Sequence, residues 1–309
     1  MESLNILVTG GGSPGIAGTL YALKKHRVVA VDMRDDVPGK YLADKFYTVP
    51  AATDDGFTDV VHDICERERI DVILPQNTAE LDVWYNTKFA IPVALAGRNI
   101  GKDEICEGQM VHNFDELTDF ARDNERFVIK PPKGNGSRGV RIITEDKSDF
   151  YRKPGIPVIQ WRHLYRELGE TFEMFAMPYY EGKEVTVDCF KGREFVAIPR
   201  VRDEIRSGIS FAGHLVKDKD LIEQSLHYAE QFDLQYAFGF QFIDGKVIEC
   251  NPRVQGTMVA SVIAGANIIE ASCFECLGLD YPKFNIDWST KFNRYWGMIA
   301  SNSQGKFII

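Results

Sequence analysis

Short apolar runs alternate with helix-like segments through the first third of the chain. The runs Asn5–Val8, Val28–Val31 and Asp71–Leu74 are separated by two segments with helical periodicity, Thr19–His26 and Phe57–Arg69. Strands spaced by helices predict right-handed βαβ units and a parallel sheet. Ligands of such sheets gather at the carboxyl ends of the strands. The sequence therefore predicts an α/β domain with a binding edge.

A glycine-rich turn, Thr9–Gly18, follows the first run, and Asp32 ends the second. This arrangement is typical of a dinucleotide-binding turn with its ribose-binding acid. Tyr179 and Lys183 also form a YxxxK pair, as in short-chain dehydrogenases. That pair needs a helix to share one face, whereas Gly182 and strand-like flanks favour a turn. NAD binding is therefore a minor alternative, since any sharp strand-to-helix bend needs glycine.

Composition excludes several classes of function. The net charge of the 309-residue chain is −9, and a sequence-independent nucleic-acid binder would need a surplus of Lys and Arg. No apolar run approaches the ~18 residues of a membrane-spanning helix. The first residues, Met1–Asn5, lack the basic region of a signal peptide. We expect a cytoplasmic protein without nucleic-acid or membrane partners. The oligomeric state stays open, with a homodimer as the commonest form.

The six cysteines are too few for a disulfide framework and indicate a reducing compartment. Cys273 and Cys276 have CxxC spacing, but no second pair completes a zinc site. They fall in an apolar helix-like segment, 268–279. We expect buried structural thiols there.

A second pattern begins near Lys102. The predicted strand Phe127–Lys130 ends on a lysine, and a loop with three glycines, Pro131–Gly139, leads to a returning strand, Val140–Ile143. Inward backbone N–H groups of such a loop, with the lysine, can bind phosphate oxygens. The alternative is an ordinary hairpin with a basic tip.

Oxygen-bearing side chains recur on two later predicted strands. Glu184 and Asp188 have even spacing and share a strand face, as do Glu249 and Asn251. A carboxylate of the first pair could accept hydrogen bonds from sugar hydroxyls, whereas the carboxylate and amide oxygens of the second pair are ligands that Mg²⁺ prefers. A two-residue turn, Asp244-Gly245, would place Gln241 on the opposite face. A three-residue loop with Gly245 in a bulge would place it on the same face, and we predict the bulge.

Three segments in this order, VIKPPKGNGSRGV, EGKEVTVD and QFIDGKVIECNPR, resemble the ATP-grasp superfamily. The resemblance looks closest to the branch around the large subunit of carbamoyl phosphate synthetase, and it runs over most of the chain. It implies a mixed α/β and α+β fold. A Rossmann-like preATP-grasp domain (1–100) precedes a two-lobed ATP-grasp domain with lobe A (101–176) and lobe B (177–309).

The resemblance also implies roles for individual residues, with ATP and Mg²⁺ (or Mn²⁺) as cofactors. Arg253 and Lys130 are the implied catalytic residues, facing the phosphates or the acyl phosphate. The implied nucleotide contacts are Lys130, Gly134, Gly136, Ser137, Gly139, Pro178, Tyr180 and Glu184, with Glu184 on the ribose. The implied metal ligands are Gln241, Glu249 and Asn251. The candidate substrate contacts are Ser13, Glu80, Arg200 and Arg202; a salt-bridged edge is the alternative for the two arginines.

Three departures from the family pattern stand out. Met177 and Pro178 occupy the place of the usual hinge glutamate, so a side-chain contact to adenine is lost. Lys102 lies closer to Lys130 than is usual, which leaves open whether Lys102 is a nucleotide ligand. Gln241 replaces the more common aspartate, a weaker ligand that the carbamoyl phosphate synthetase branch tolerates.

The function implied is an ATP- and Mg²⁺-dependent carboxylate–amine ligase that forms an amide through an acyl phosphate. Its partners are small-molecule carboxylate and amine substrates. One alternative is phosphorylation of bicarbonate, carbamate or another small acid, as in the resembling branch. Another is a nucleotide-binding protein without catalysis. The sequence does not identify the acid or the amine, because fold analogy does not transfer specificity.

Overall fold

The computed structural model describes residues 3–132, 139–144, 158–159, 161–206, 208–295, 297–302 and 305–308. Its strands are β1 Asn5–Val8, β2 Arg27–Asp32, β3 Lys45–Thr48, β4 Val72–Leu74, β5 Gln109–Asn113, β6 Phe127–Lys130, β7 Arg141–Ile143, β8 Val158–Ile159, β9 Thr171–Pro178, β10 Glu184–Lys191, β11 Phe195–Arg206, β12 Ile209–Leu215, β13 Tyr236–Ile243, β14 Lys246–Asn251, β15 Lys291–Asn293, β16 Ile299–Asn302 and β17 Gly305–Ile308. Its α-helices are α1 Ile16–Ala22, α2 Pro38–Leu42, α3 Phe57–Glu68, α4 Leu81–Asn86, α5 Lys102–Ile105, α6 Phe114–Asp123, α7 Trp161–Leu168, α8 Lys219–Gln231, α9 Val259–Ile263 and α10 Ile268–Cys276, and a 3₁₀ turn covers Thr78–Glu80.

The N-terminal domain is built on a parallel sheet with strand order β3-β2-β1-β4. The inner strands are rich in Val, Ile and Leu and are buried, as expected for a sheet covered on both faces. The predicted parallel arrangement is confirmed. Helix α1 begins at Ile16 rather than Thr19, because the glycine turn closes within a few residues through a hydrogen bond from Ser13 N to Gly10 O (2.8 Å).

Lobe A is a mixed sheet with strand order β5-β9-β6-β7-β8, and lobe B is an antiparallel sheet with strand order β14-β13-β10-β11-β12-β15. We expected strands on either side of a turn at Tyr180–Gly182. The flanking strands, β9 and β10, belong to different sheets, so this segment crosses from lobe A to lobe B. Residues 179–183 are not helical, and the Tyr179–Lys183 pair therefore lacks the shared helical face that a dehydrogenase requires.

The register of the β13–β14 hairpin differs from our prediction. The turn has two residues, Asp244 and Gly245, both with positive φ (49° and 72°), as a type I′ turn demands. The bulge lies inside the ladder instead: Phe242 pairs with Val247 and Gln241 with Glu249, which leaves Ile248 as the extra residue. The predicted three-residue loop is wrong. Gln241 nevertheless shares a face with Glu249 and Asn251, as we predicted. A bulge at any position between Gln241 and Glu249 shifts the alternation of side chains by one residue and has this effect.

The N-terminal domain and lobe B share one hydrophobic core. Ile6, Val8 and Leu74 of the parallel sheet pack in the same cluster as Ile269 and Phe274 of α10. A buried contact between His26 Nε2 and Glu270 Oε1 (2.9 Å) also joins the two. His26 Nδ1 accepts from the Leu4 N–H (3.1 Å), so Nε2 carries the proton and donates to the carboxylate. The two units are thereby fixed against each other.

The predicted cysteine helix is α10, and Cys273 is fully buried within it, while Cys276 is half-buried. None of the helices in the described part of the chain is long and apolar enough to cross a membrane.

Candidate active site

A cleft of about 820 Å³ lies between the carboxyl edge of the N-terminal parallel sheet and one face of the lobe B sheet. Ser13 and Glu80 line its N-terminal wall, and Arg202, Glu249 and Arg253 line the opposite wall. The volume falls within the range of small-molecule binding sites, roughly 300–1,000 Å³. The cleft is thus large enough for an organic substrate.

Strand alternation makes the cleft-facing surface of lobe B polar. Thr186 of β10 pairs with Gln241 of β13, which pairs with Glu249 of β14, so these three side chains form one row across the sheet. The next row joins Asp188, Gly239 and Asn251. The intervening residues Phe238, Phe240 and Phe242 point to the other face and are fully buried. Because the phenylalanines are buried on one face of the sheet, the polar side chains that alternate with them must face the cleft.

The three residues implied as metal ligands, Gln241, Glu249 and Asn251, lie together on this side of the lobe B sheet. We call it the metal-site face after that implied role. Gln241 Nε2 donates to Glu249 Oε2 (2.8 Å), and its Oε1 accepts from Arg202 (3.1 Å). Asn251 Oδ1 accepts from Arg253 (3.0 Å). Within the described chain, no cluster of three or more His, Cys, Asp or Glu side chains could hold a metal alone. One carboxylate with amide oxygens nevertheless suits a hard cation shared with phosphates, so the donor set fits Mg²⁺. Gln241 would contribute its oxygen only after the amide turns.

Arg253 joins the metal-site face to the N-terminal domain. Its Nε donates to Thr78 Oγ1 (2.7 Å), and its terminal nitrogens donate to Val254 O (3.1 Å) and Asn251. Burial lowers the pKa of the guanidinium, and the charge of Glu249 opposes that shift. A buried arginine at this junction can stabilise charge on a transferred phosphoryl group.

Two lysines, Lys130 (buried) and Lys102 (half-buried), lie near Glu249 on the lobe A side. Lys130 Nζ donates to the carbonyl of Ile248, the extra residue of the bulge (2.8 Å), and Lys102 Nζ donates to Pro132 O (3.1 Å). Burial lowers the pKa of both lysines, while the charge of Glu249 raises it. Their neutral carbonyl partners leave both positive charges available to an anionic ligand. The structure thus brings Lys102 next to Lys130, where the sequence left its role open.

The loop implied to cover the phosphates is only partly described. Gly134, Gly136 and Ser137 lie outside the described residues. Gly139 has φ +74°, and a Cβ there would lie 2.7 Å from Pro131 Cγ, so this position requires glycine.

Pro178 and Tyr180 lie where the chain passes from lobe A to lobe B. Pro178 ends β9, and the Tyr180 hydroxyl donates to Glu107 Oε2 (2.9 Å). Burial, followed by the contact with Glu107, raises the pKa of Tyr180. Arg126 packs over the Tyr179 ring at 3.6 Å from the ring centroid. These contacts hold the crossing segment against lobe A.

Glu184 and Arg202 form an ion pair at the edge of the cleft. Arg202 also donates to Gln241 Oε1, to Ser210 Oγ (2.8 Å) and to the carbonyl of Gly208 (2.6 Å). Burial lowers the pKa of Arg202, and the charge of Glu184 opposes this. The residue implied for the ribose is thus tied through one guanidinium to the metal-site face.

Arg200 is less available than Lys130 or Lys102 to bind an anionic ligand. Its guanidinium contacts both carboxylate oxygens of Asp188 (3.1 and 3.3 Å), and Ser261 Oγ donates to the same carboxylate (2.7 Å). Both members of the pair are almost fully buried. The charge of Arg200 is therefore compensated within the protein, as the alternative of a salt-bridged residue predicts.

In the N-terminal wall, Asp32 at the end of β2 is engaged in hydrogen bonds with the protein backbone. Asp32 Oδ2 accepts from the Gly12 N–H (2.7 Å) and so holds the glycine turn, while Oδ1 accepts from the Arg34 N–H (3.0 Å) just after β2. Ser13 lies in that turn. Glu80 is buried in the 3₁₀ turn and accepts from Trp84 Nε1 (3.3 Å).

Gln255 is a cleft residue that our sequence reasoning missed. Its Nε2 is buried and, within the described residues, has no hydrogen-bond acceptor. The signal was present, because Glu249, Asn251, Arg253 and Gln255 recur at every second position. We ended the alternation at Asn251, where β14 also ends.

Comparison with protein families gives two matches. Residues 170–293 match the model "ATP-grasp in the biosynthetic pathway with Ter operon". Residues 6–91 match the model "PylC-like, N-terminal domain". No curated protein sequence matches the chain.

Solved structures share the fold at low sequence identity. N5-carboxyaminoimidazole synthetase from Staphylococcus aureus, complexed with ADP, is 15% identical with a TM-score of 0.67, over 91% of this chain and 79% of that one. Carboxyaminoimidazole ribonucleotide synthase from Aspergillus clavatus, complexed with ATP, is 13% identical (TM-score 0.61; 91% and 78%). Glycinamide-RNase-transformylase T from Mycobacterium tuberculosis is 12% identical (TM-score 0.58; 90% and 82%). The chain thus has an ATP-grasp fold, a preATP-grasp domain followed by two lobes, and residues 170–293 match an ATP-grasp family model.

Proposed function

We propose that this protein is an ATP- and Mg²⁺-dependent ligase that joins a carboxylic acid to an amine. The γ-phosphoryl group of ATP is transferred to a carboxylate oxygen, which gives an acyl phosphate and ADP. The amine then attacks the acyl carbon, which gives an amide and releases phosphate. The observation that carries the proposal is that the carboxylate of Glu249 lies in the cleft, close enough for its charge to act on both Lys130 and Arg253.

The chain's own residues supply positioning and charge in this scheme. Lys130 and Lys102 would bind the phosphates, and Arg253 would hold the reacting oxygens at the end of the cleft. Glu249 and Asn251 would hold Mg²⁺, with Gln241 after its amide turns. The bound metal neutralises charge on the triphosphate. Phosphoryl transfer relies on such positioning more than on a protein nucleophile.

The size of the cleft supports an organic acid as the substrate over bicarbonate or carbamate alone. About 820 Å³ is far more than an acid of a few atoms fills. The solved relatives complexed with ADP or ATP support nucleotide binding by this fold. A carbamoyl phosphate synthetase-like reaction remains the second candidate from the sequence, with no observation that favours it.

Release of ADP in the presence of a panel of carboxylic acids tests the proposal, with hydroxylamine added as a general amine. Hydroxylamine converts an acyl phosphate to a hydroxamate and phosphate, so product formation reports the intermediate directly. Glu249→Ala should abolish both signals while the circular dichroism spectrum is retained. Glu223→Ala, on the exposed surface of α8, is the matched control. Unchanged turnover by Glu249→Ala would contradict the assignment of the site.

A further inference from the structure

Glu80 is a buried carboxyl group at the N-terminal wall of the cleft, and among the described residues no cation lies against it. The residue is 6% exposed. Within the described residues, its hydrogen-bond partners are neutral: the Trp84 indole and the side chains of Thr9 and Asn77. Burial raises the pKa of Glu80, and the nearby charge of Asp32 raises it further. A buried carboxylate without a counter-charge is costly, so the site favours a ligand that supplies a cation.

On the facing wall, Gln255 offers a hydrogen-bond donor, where Glu80 offers an acidic group. The residue is 9% exposed and lines the cleft, and its Nε2 is a buried donor without an acceptor in the described chain. Its amide packs over Gly239, where a Cβ would lie 2.4 Å from Nε2, so the bare backbone of β13 makes room for it. An unsatisfied buried donor favours a ligand oxygen, and a carboxylate oxygen most of all.

The two groups line the same cleft, and the chain segments that carry them are joined by one hydrogen bond. Thr78 and Glu80 belong to the same 3₁₀ turn, and Thr78 Oγ1 accepts from Arg253 Nε (2.7 Å). Gln255 follows Arg253 by two residues and lines the same cleft. The contact between Thr78 and Arg253 therefore brings the anionic site of one wall close to the donor site of the other.

We propose that the acid activated by this protein is an amino acid bound as a zwitterion, with its ammonium group on Glu80 and its carboxylate facing Gln255 and Arg253. This inference rests on the proposed function and adds the class of substrate. The ammonium serves recognition, because it is held on the wall away from the metal-site face. The carboxylate is the group that receives the phosphoryl group. A neutral acid would leave Glu80 without a counter-charge, and bicarbonate cannot supply one.

Binding, measured separately from turnover, tests the inference. Calorimetric titrations use the common L-amino acids, their D-enantiomers and the matching acids that lack the amino group, each with Mg²⁺ and a non-hydrolysable ATP analogue. We expect at least one amino acid to bind and its deaminated counterpart to bind about 30-fold more weakly or not at all. Glu80→Gln should weaken amino acid binding by a similar factor and leave binding of the ATP analogue unchanged.

Two further variants separate recognition from folding. Gln255→Met removes the donor but keeps the length of the side chain, and it should weaken amino acid binding about tenfold. Glu223→Gln on α8 should change nothing. If no amino acid binds the wild type, or if a deaminated acid binds equally well, the inference is wrong. Equal amino acid binding by Glu80→Gln and the wild type would also overturn it. Amino acid binding without any ADP release would instead refute the proposed function and leave the inference standing.

Discussion

The Nε atom of Arg253 lies 2.7 Å from the Oγ1 atom of Thr78, so a guanidinium that contacts the metal-site face is also held by the N-terminal domain. The hydrogen bond to Asn251 orients the same side chain from the other direction. The position of this cation thus depends on the contact between two parts of the fold that are far apart in sequence.

Replacing Thr78 with valine tests this dependence. Thr78→Val keeps the shape of the side chain and removes the acceptor, so we expect kcat for ADP release to fall about tenfold. The free energy of unfolding should change far less than activity, because Thr78 lies at the edge of the cleft. Thr78→Ser, which retains the hydroxyl, is the control and should restore most of the rate. Equal rates for the valine and serine variants would show that the hydrogen bond is dispensable.

Replacing Lys130 with glutamine should impair nucleotide binding. If this buried cation binds the phosphates as we propose, its loss should raise KM for ATP about tenfold or more. Lys183→Gln is the matched control, because Lys183 is exposed in the segment that crosses between the lobes. The control also addresses the dehydrogenase alternative, which requires Lys183. Neither protein should enhance NADH fluorescence, and a KM for ATP unaffected by Lys130→Gln would refute the phosphate contact.

Stability in acid should depend on Glu68. Lys45 Nζ contacts its carboxylate at 2.8 Å, and Tyr47 and Arg27 contribute further contacts. These contacts, with that of Lys45 the largest, lower the pKa of Glu68 from 4.5 to about 2. Because the folded-state pKa is depressed, the stabilisation is complete above about pH 4.5 and is lost as the pH falls towards 2.

Urea unfolding at several pH values measures this contribution. At pH 7, Glu68→Gln should have a lower free energy of unfolding than the wild type. The difference should shrink as the pH falls below 4.5, because the wild-type carboxylate then becomes protonated as well. A difference that stays constant over this range would mean that the carboxylate charge contributes nothing.

A close backbone contact joins the glycine turn to the loop after β14. A Cβ on Gly15 would lie 2.7 Å from the Cα of Gly256, whereas a Cβ on Gly256 would meet nothing nearer than 3.8 Å. Gly15→Ala should therefore lower the free energy of unfolding by about 1–3 kcal/mol. Gly256→Ala, the reciprocal control, should be close to neutral. Similar stabilities of the two variants in urea would contradict the close approach.

Local patterns in the sequence predicted much of the fold. The predicted bounds of Asn5–Val8 and Phe127–Lys130 agree with the structure, because each is set by its own apolar spacing. We did not predict β11, since Pro199 and the charged residues 202–206 obscure its alternation. Arg200 and Arg202 of β11 pair with Asp188 and Glu184 of the neighbouring strand β10, and such pairing is not visible in a single segment.

Long-range contacts account for what the sequence left open in the site. The position of the bulge depends on pairing between β13 and β14, and only that pairing turns the carbonyl of Ile248 towards Lys130. Asp32 had the spacing of a ribose-binding acid, but its oxygens accept from two backbone N–H groups, that of Gly12 in the distant glycine turn and that of Arg34 two residues later. Residue type and spacing predicted which oxygens face the cleft, and the tertiary contacts decide which of them are already engaged.

The core shared by the parallel sheet and α10 limits how this protein can acquire a new specificity. Exchange of the whole N-terminal domain for that of a relative would strip α10 of the side chains that cover it and would break the contact between His26 and Glu270. Substitutions in the loops that border the cleft would leave this packing intact. Evolution towards a different acceptor is therefore expected to proceed by point changes at the rim rather than by recombination of modules.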